Sequence, residues 1–421
     1  MSTQIRNLNG AAETGRPGAV NLSTGTPNKP ELLYKMEDFG ADVHMAMIMA
    51  REDGIITASQ DRTIRIWLKR DNGRYWPSIC QYMSTPPTAF AYNPETRKIF
   101  VGTESGLISE FVISNDFNRV TQLKDYTGHE KRITAIFFAL ECEWLLSCSR
   151  DKSLRWFCSE SGRQIGSFLL TAWITALQFD VPAKYAFVGD YSGAIHVLRL
   201  QDNGHQLVST IRGHAGSVRC LAWDASRQQL FSGGFDQNIV VWDIGGKAGQ
   251  AYELQAHSGK VTSLYYASST QQLISGGEDG LLAVWDMSVT RTETPTWQES
   301  DTCQQCNKPF FWNFKMMFDV KQLGMRQHHC RHCGKAICDA CSPNRLTIPI
   351  MGFECPVRVC VVCYGLLKDQ SRASKAVLNN TMHSITSIDV DETRKHMLTV
   401  GQDKVIKIWN VKNLLQKTGE D

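Results

Sequence analysis

Residues 233–243 read GGFDQNIVVWD: two glycines and an aspartate that favour a tight turn, then a run of β-branched residues closing on a tryptophan. Similar segments stand at 59–67 (SQDRTIRIW), 276–286 (GGEDGLLAVWD) and 401–410 (GQDKVIKIWN). With weaker copies included, the turn positions are Asp61, Ser105, Asp151, Ser192, Asp236, Asp279 and Asp403, separated by 44, 46, 41, 44, 43 and 124 residues. A period of roughly 40 to 45 residues holding four short strands is the mark of a propeller blade. The last gap exceeds the period by about 81 residues, which predicts an insert between the sixth and seventh units.

These segments resemble the WD-repeat family over 31–289 and 376–412. The resemblance implies an all-β, seven-bladed propeller, with the strand around Leu32 to Lys35 closing the ring and removing an open sheet edge. It also implies a buried hydrogen-bond chain from His to Ser or Thr, Asp and Trp within a blade. Complete sets occur as His214, Ser232, Asp236, Trp242, as His257, Ser275, Asp279, Trp285, and as His383, Thr399, Asp403, Trp409. A fourth has His129, Ser147 and Asp151 with Phe157 in the Trp place. The repeats of Ser105 and Ser192 have Val101 and Val188 for the hydroxyl and Met83 and Leu170 for the histidine, so the polar members are expected to vanish together. An unpartnered buried Asp or His is costly, whereas an all-apolar replacement is nearly neutral. A catalytic triad would appear once; a set repeated in blade after blade is structural.

The cysteines divide the chain differently. Nine of the 14 lie between Trp297 and Gln370, and eight of them form four CxxC pairs: Cys303/Cys306, Cys330/Cys333, Cys338/Cys341 and Cys360/Cys363. Eight thiolates satisfy two tetrahedral Zn2+ ions with no open coordination position, as in structural rather than catalytic zinc. Cys355 is left over as a spare thiol. A segment this short has little apolar mass, so metal binding supplies much of its folding free energy, about 10 kcal/mol or more per ion.

Around the second pair the chain reads Arg326-Gln-His-His-Cys330-Arg-His-Cys-Gly334, and Arg358-Val-Cys360 opens the fourth. With Trp297 upstream, these motifs resemble the FYVE zinc-finger family over about 297–366. The resemblance implies one zinc on Cys303, Cys306, Cys338 and Cys341 and the other on Cys330, Cys333, Cys360 and Cys363. It further implies that Arg326, His328, His329, Arg331 and Arg358 line a pocket for the headgroup of phosphatidylinositol 3-phosphate, with Asp301 accepting from sugar hydroxyls. Guanidinium forks suit phosphate oxygens and imidazole adds a donor. The family's acid stands three residues after the Trp, whereas here Ser300 takes that place, Asp301 comes one later, and Gln327 replaces a common basic residue.

Between Cys306 and Cys330 run 23 residues, rich in aromatics from Phe310 to Phe318. By the same resemblance Leu323 and Met325 sit on a turret that enters the bilayer. The upstream aromatics either pack on the zinc core or propeller, or face a partner or membrane. The insert carries nine Lys and Arg against six Asp and Glu over 297–370, which favours an anionic surface.

The whole chain has 45 Lys and Arg against 42 Asp and Glu, too near balance for a nucleic-acid footprint. No window reaches the ~18 apolar residues of a membrane span, and the first thirty residues have no signal-peptide core, so the expectation is a cytoplasmic protein held peripherally on early endosomes. The expected organisation is a disordered lead-in (1–30), blades 1–6 (31–289), the finger with its linkers (290–370), the outer strand of blade 6 with the seventh repeat (371–412), and a tail (413–421). Taken together, the sequence resembles the family of WD-repeat and FYVE-domain proteins: a phosphatidylinositol 3-phosphate-binding endosomal adaptor or scaffold, not an enzyme, whose propeller faces meet protein partners. Homodimerisation is left open, since a single finger would gain avidity from it. The alternative is a RING-like ubiquitin ligase, or another zinc-dependent interaction module.

Overall fold

The computed structural model describes residues 29–37, 39–202, 204–245, 252–370 and 372–416. The expected lead-in lies outside the described residues except for its last two positions. Of the expected tail, positions up to 416 are described, and Leu414 and Leu415 are buried against the seventh blade.

Within the blades, apolar strands that carry little outward polarity end up covered on both sides. The second strands Gly54–Ser59, Trp144–Ser149 and Gln272–Gly277 have every residue buried, whereas the fourth strand Gly204–Arg212 is largely exposed. Among the described residues, seven antiparallel four-stranded sheets result, and the first strands of neighbouring blades touch around the axis. Blades approach so closely that side chains are excluded. A Cβ on Gly102, Gly189 or Gly233 would come within 2.6 Å of Ile133, Val218 or Val261 of the next blade.

The ring closes as the repeat pattern indicates. Blade 7 supplies Ile385–Asp391, His396–Gly401 and Ile406–Asn410, and Glu31–Met36 adds the fourth strand, Glu31 opposite Asn410. Arg394 clamps blade 7 to blade 1, donating to the Met49 carbonyl (2.6 Å), the Glu52 carbonyl (2.8 Å) and Asp53 (2.9 Å) while paired with Asp391 (2.6 Å).

The buried polar chains form where they were expected. In blade 5 the His214 ring meets Ser232 at 2.7 Å and Asp236 at 3.0 Å, and the Trp242 indole donates to Ser232 at 2.7 Å. Blade 6 repeats this through His257, Ser275, Asp279 and Trp285. Burial raises Asp279, but hydrogen bonding and charge from His257 outweigh it and hold the carboxyl down at about 2. In blade 7, His383 meets Thr399 at 2.9 Å but Asp403 only at 3.4 Å. Blade 4 departs from expectation: its carboxylate is relocated rather than lost. Buried Asp190 accepts from the Ser192 N–H (2.8 Å), the Ser192 hydroxyl (2.7 Å) and the Ala194 N–H (3.0 Å), and pairs with His196 at 3.1 Å. A carboxylate two residues earlier is affordable because it brings its own donors.

Candidate functional site

The insert leaves the propeller after the third strand of blade 6, Leu281–Asp286, and returns to give that blade its fourth strand, Ala376–Asn380. Between these points four CxxC turns converge. Cys303, Cys306, Cys338 and Cys341 bring their sulfurs within 4.8 Å of one another, and so do Cys330, Cys333, Cys360 and Cys363. The pairing is therefore interleaved. The Cys306 and Cys338 sulfurs are 3.7 Å apart, and a tetrahedron with zinc–sulfur bonds of about 2.3 Å has edges of about 3.8 Å. Backbone donors point at the sulfurs, Cys338 N–H to Cys303 (3.4 Å) and Cys360 N–H to Cys330 (3.3 Å), as thiolates require. The donor set fits two structural Zn2+ ions. Around them Phe310, Ile337, Leu346, Ile348 and Phe353 form a small core.

This core is joined to the propeller by backbone as well as by linkers. Phe353 forms a parallel bridge with Gln255, just beyond the outer strand Tyr252–Leu254 of blade 5. The Gln255 N–H donates to the Gly352 carbonyl and the Glu354 N–H donates to Gln255, each at 2.9 Å. Gly352 has φ +88°, and any Cβ there would lie 2.0 Å from the Glu253 carbonyl. Glycine is thus required twice over, for the left-handed turn and for the close approach.

Beside this junction opens a cavity of about 600 Å3. Arg326, His328, His329, Arg331 and Arg358 all line it, so those five expected residues come together. Trp297 forms one wall: Arg331 lies 4.3 Å over its ring and His329 packs on it at 4.7 Å. Burial pulls Arg331 below its ordinary value, and Glu253 of the propeller partly offsets this. His328 and Arg358 both hold Asp339, at 3.0 and 2.8 Å. Burial would raise Asp339, but those two partners outweigh it and keep the carboxyl below the usual range.

Asp301 is not in this wall. Its carboxylate accepts from the Trp312 indole at 2.9 Å, and the one-residue displacement from the family position turns it to the aromatic loop. Sequence reasoning missed Arg345, which faces Arg358 across the hairpin of Arg345–Ile348 and Phe353–Arg358, and Gln255, contributed by the propeller. Register would have revealed the first; no local signal marks the second.

The long loop projects next to the cavity. Asn313 caps the helix Phe314–Val320 by accepting from the Met316 N–H at 3.2 Å, and that helix buries none of its residues. Phe310 packs inward, whereas Phe311, Phe314, Phe318 and Leu323 are exposed, the last two at 82% and 85%. Met325 differs from expectation: it is half-buried against the zinc core, bridged to Phe310. Among the described residues, no helix is long and apolar enough to cross a membrane.

Comparison with known proteins agrees with this anatomy. The FYVE zinc finger family model matches residues 296–369, and the WD domain, G-beta repeat model matches 120–157, 205–243, 249–286 and 375–410. The human WD repeat and FYVE domain-containing protein 2 is 52% identical over 383 residues, covering 91% of this chain and 96% of that protein. The human WD repeat and FYVE domain-containing protein 1 is likewise 52% identical, over 384 residues, 91% and 94% of the two chains. Among solved structures, the WD40 β-propeller domain of Doa1 shares the fold with a TM-score of 0.59 at 13% identity, over 91% of this chain and 97% of that one.

Proposed function

This chain belongs to the WD repeat and FYVE domain-containing proteins, and from that premise we propose that it is an adaptor recruited to early endosomes by phosphatidylinositol 3-phosphate. The observation that carries the reading is the cavity of about 600 Å3 where four arginines and two histidines of the finger face one space beside an exposed apolar turret. Arg326, Arg331 and Arg358 would bind the phosphate oxygens, with His328 and His329 donating to phosphate or ring hydroxyls. Asp339 does not line the cavity itself; by pairing with His328 and Arg358 it would orient two of the donors that do. Leu323 with Phe318, Phe314 and Phe311 would enter the bilayer, giving the second signal that stable peripheral binding needs.

The propeller then presents its faces to protein partners in trafficking or signalling. The Gln255–Phe353 bridge fixes its orientation to the finger, so docking of the lipid would also set which faces point to the cytosol. The ligase alternative draws no support from a cavity whose wall is basic rather than apolar.

The test is localisation of the fluorescently tagged chain in cells. Endosomal puncta that disperse when phosphatidylinositol 3-kinase is inhibited, and that fail to form with Arg331→Gln, are expected. Puncta that persist through inhibition would overturn the lipid address.

A further inference from the structure

One backbone bond recurs in all seven blades: the residue after the second strand donates its N–H to the carbonyl of the residue just before the first strand. The side chains at these two places are therefore presented equivalently around one end of the axis, and only their chemistry changes. Blade 3 sets Arg150 on Arg132 (2.9 Å), blade 4 Tyr191 on Trp173 (2.8 Å), and blade 5 Phe235 on Ser217 (2.9 Å). With Arg219 from the first strand of blade 5, these side chains line a cavity of about 130 Å3.

The charges there are short of partners. Among the described residues neither Arg150 nor Arg219 is in an ion pair, and Arg132 has only Glu104, at 3.9 Å. Arg150 lies 5.7 Å over Trp173, whose ring meets Tyr191 at 5.5 Å. Burial first and then the Arg150 charge pull Arg132 below its ordinary value, with Glu104 opposing and Arg219 adding to the repulsion. Three crowded guanidiniums beside exposed aromatics raise the free energy of the empty site, and an anion relieves it.

We propose that this end of the axis binds a phosphorylated segment of a protein partner, the phosphate held by Arg132, Arg150 and Arg219 and a neighbouring side chain lying on Trp173 and Tyr191. A phosphoryl group offers a near-dianion and three acceptor oxygens, which suits three converging forks better than one carboxylate does. A nucleic acid fits less well. Glu104 lies on one flank, and on the other Lys260 is spent on Glu278 at 3.2 Å, so a polyanion's successive phosphates would meet carboxylates rather than a basic stripe. The inference rests on reading the propeller as the partner-binding part and not on the finger's cavity.

The experiment uses the full zinc-loaded chain, saturated with soluble dibutanoyl phosphatidylinositol 3-phosphate to occupy the finger. It is titrated into a fluorescein-labelled alanine peptide with a central phosphothreonine, and into its unphosphorylated twin, with anisotropy as readout. Phosphate-dependent binding that falls about tenfold or more in Arg150→Gln/Arg219→Gln, whose fold and liposome binding stay unchanged, is expected from the loss of two charge-assisted contacts. Equal binding of the two peptides, or phosphopeptide binding that survives in the double variant, overturns the proposal. Oligothymidylate binding through the same arginines would overturn the choice of a peptide.

Discussion

Truncating the turret separates membrane insertion from headgroup recognition. Leu323 and Phe318 are 85% and 82% exposed, and neither supports the fold, so Leu323→Ala with Phe318→Ala leaves the finger intact. Deleting three carbons from the leucine removes about 2 kcal/mol of transfer free energy, at ~0.8 kcal/mol per buried CH2, and the phenyl ring removes at least as much again. If the side chains reach only the half-wet headgroup boundary, half of that sum remains, about 2 kcal/mol or about thirtyfold in affinity. The assay is sedimentation with liposomes containing phosphatidylinositol 3-phosphate, paired with titration of the soluble dibutanoyl lipid. The double variant is expected to lose liposome affinity about thirtyfold while its soluble-lipid affinity stays within about twofold. Liposome binding retained within about threefold would refute the insertion argument, and parallel loss of soluble-lipid binding would show that the loop shapes the cavity instead.

Three further outcomes follow from the fold. Burial first, then Lys407, lowers His383 to about 4, against about 6.5 for an unfolded histidine. Its contribution is complete above that unfolded value and drains as pH falls towards the folded one, about 2 kcal/mol being gone near pH 5. Urea midpoints of His383→Gln should thus fall less between neutral and mildly acid pH than those of the parent; equal slopes would contradict this. Chelation should release two zinc ions per chain and abolish the finger's calorimetric transition while the propeller's survives, and loss of both together would show that the finger holds the ring. Arg394→Ala should cost about 2 to 4 kcal/mol in urea unfolding, since its charged hydrogen bonds join blades 7 and 1. Lysine should not rescue it, because a point charge cannot make the same fork.

How much was legible in the sequence depended on whether the signal was local. The blade count and ring closure by Glu31–Met36 could be read because the turn recurs at a near-constant period in every blade and four blades carry the buried His, Ser or Thr and Asp set. The two tetrads were legible as eight thiols, while their interleaving came only through family resemblance. Asp190 was missed because its role moved two residues from the expected turn position, and Asp301 was assigned to the headgroup pocket although its carboxylate meets the Trp312 indole instead. Met325 was expected on the exposed turret, but the inserted helix Phe314–Val320 forms the outer part of the loop and leaves Met325 against the core; of the upstream aromatics, left open between core and surface, Phe310 turns inward and Phe318 outward. The finger's docking on blade 5 had no sequence signature at all, since Gln255 and Phe353 are joined through backbone and only Gly352 marks the approach.

The most direct test of the central claim is calorimetric titration of the zinc-loaded chain with soluble dibutanoyl phosphatidylinositol 3-phosphate and its 4-phosphate isomer, for the parent and Arg326→Gln. The account expects the 3-phosphate to bind about tenfold or more tighter than its isomer, with that preference lost in the variant. Equal affinity for both isomers in the parent would contradict it.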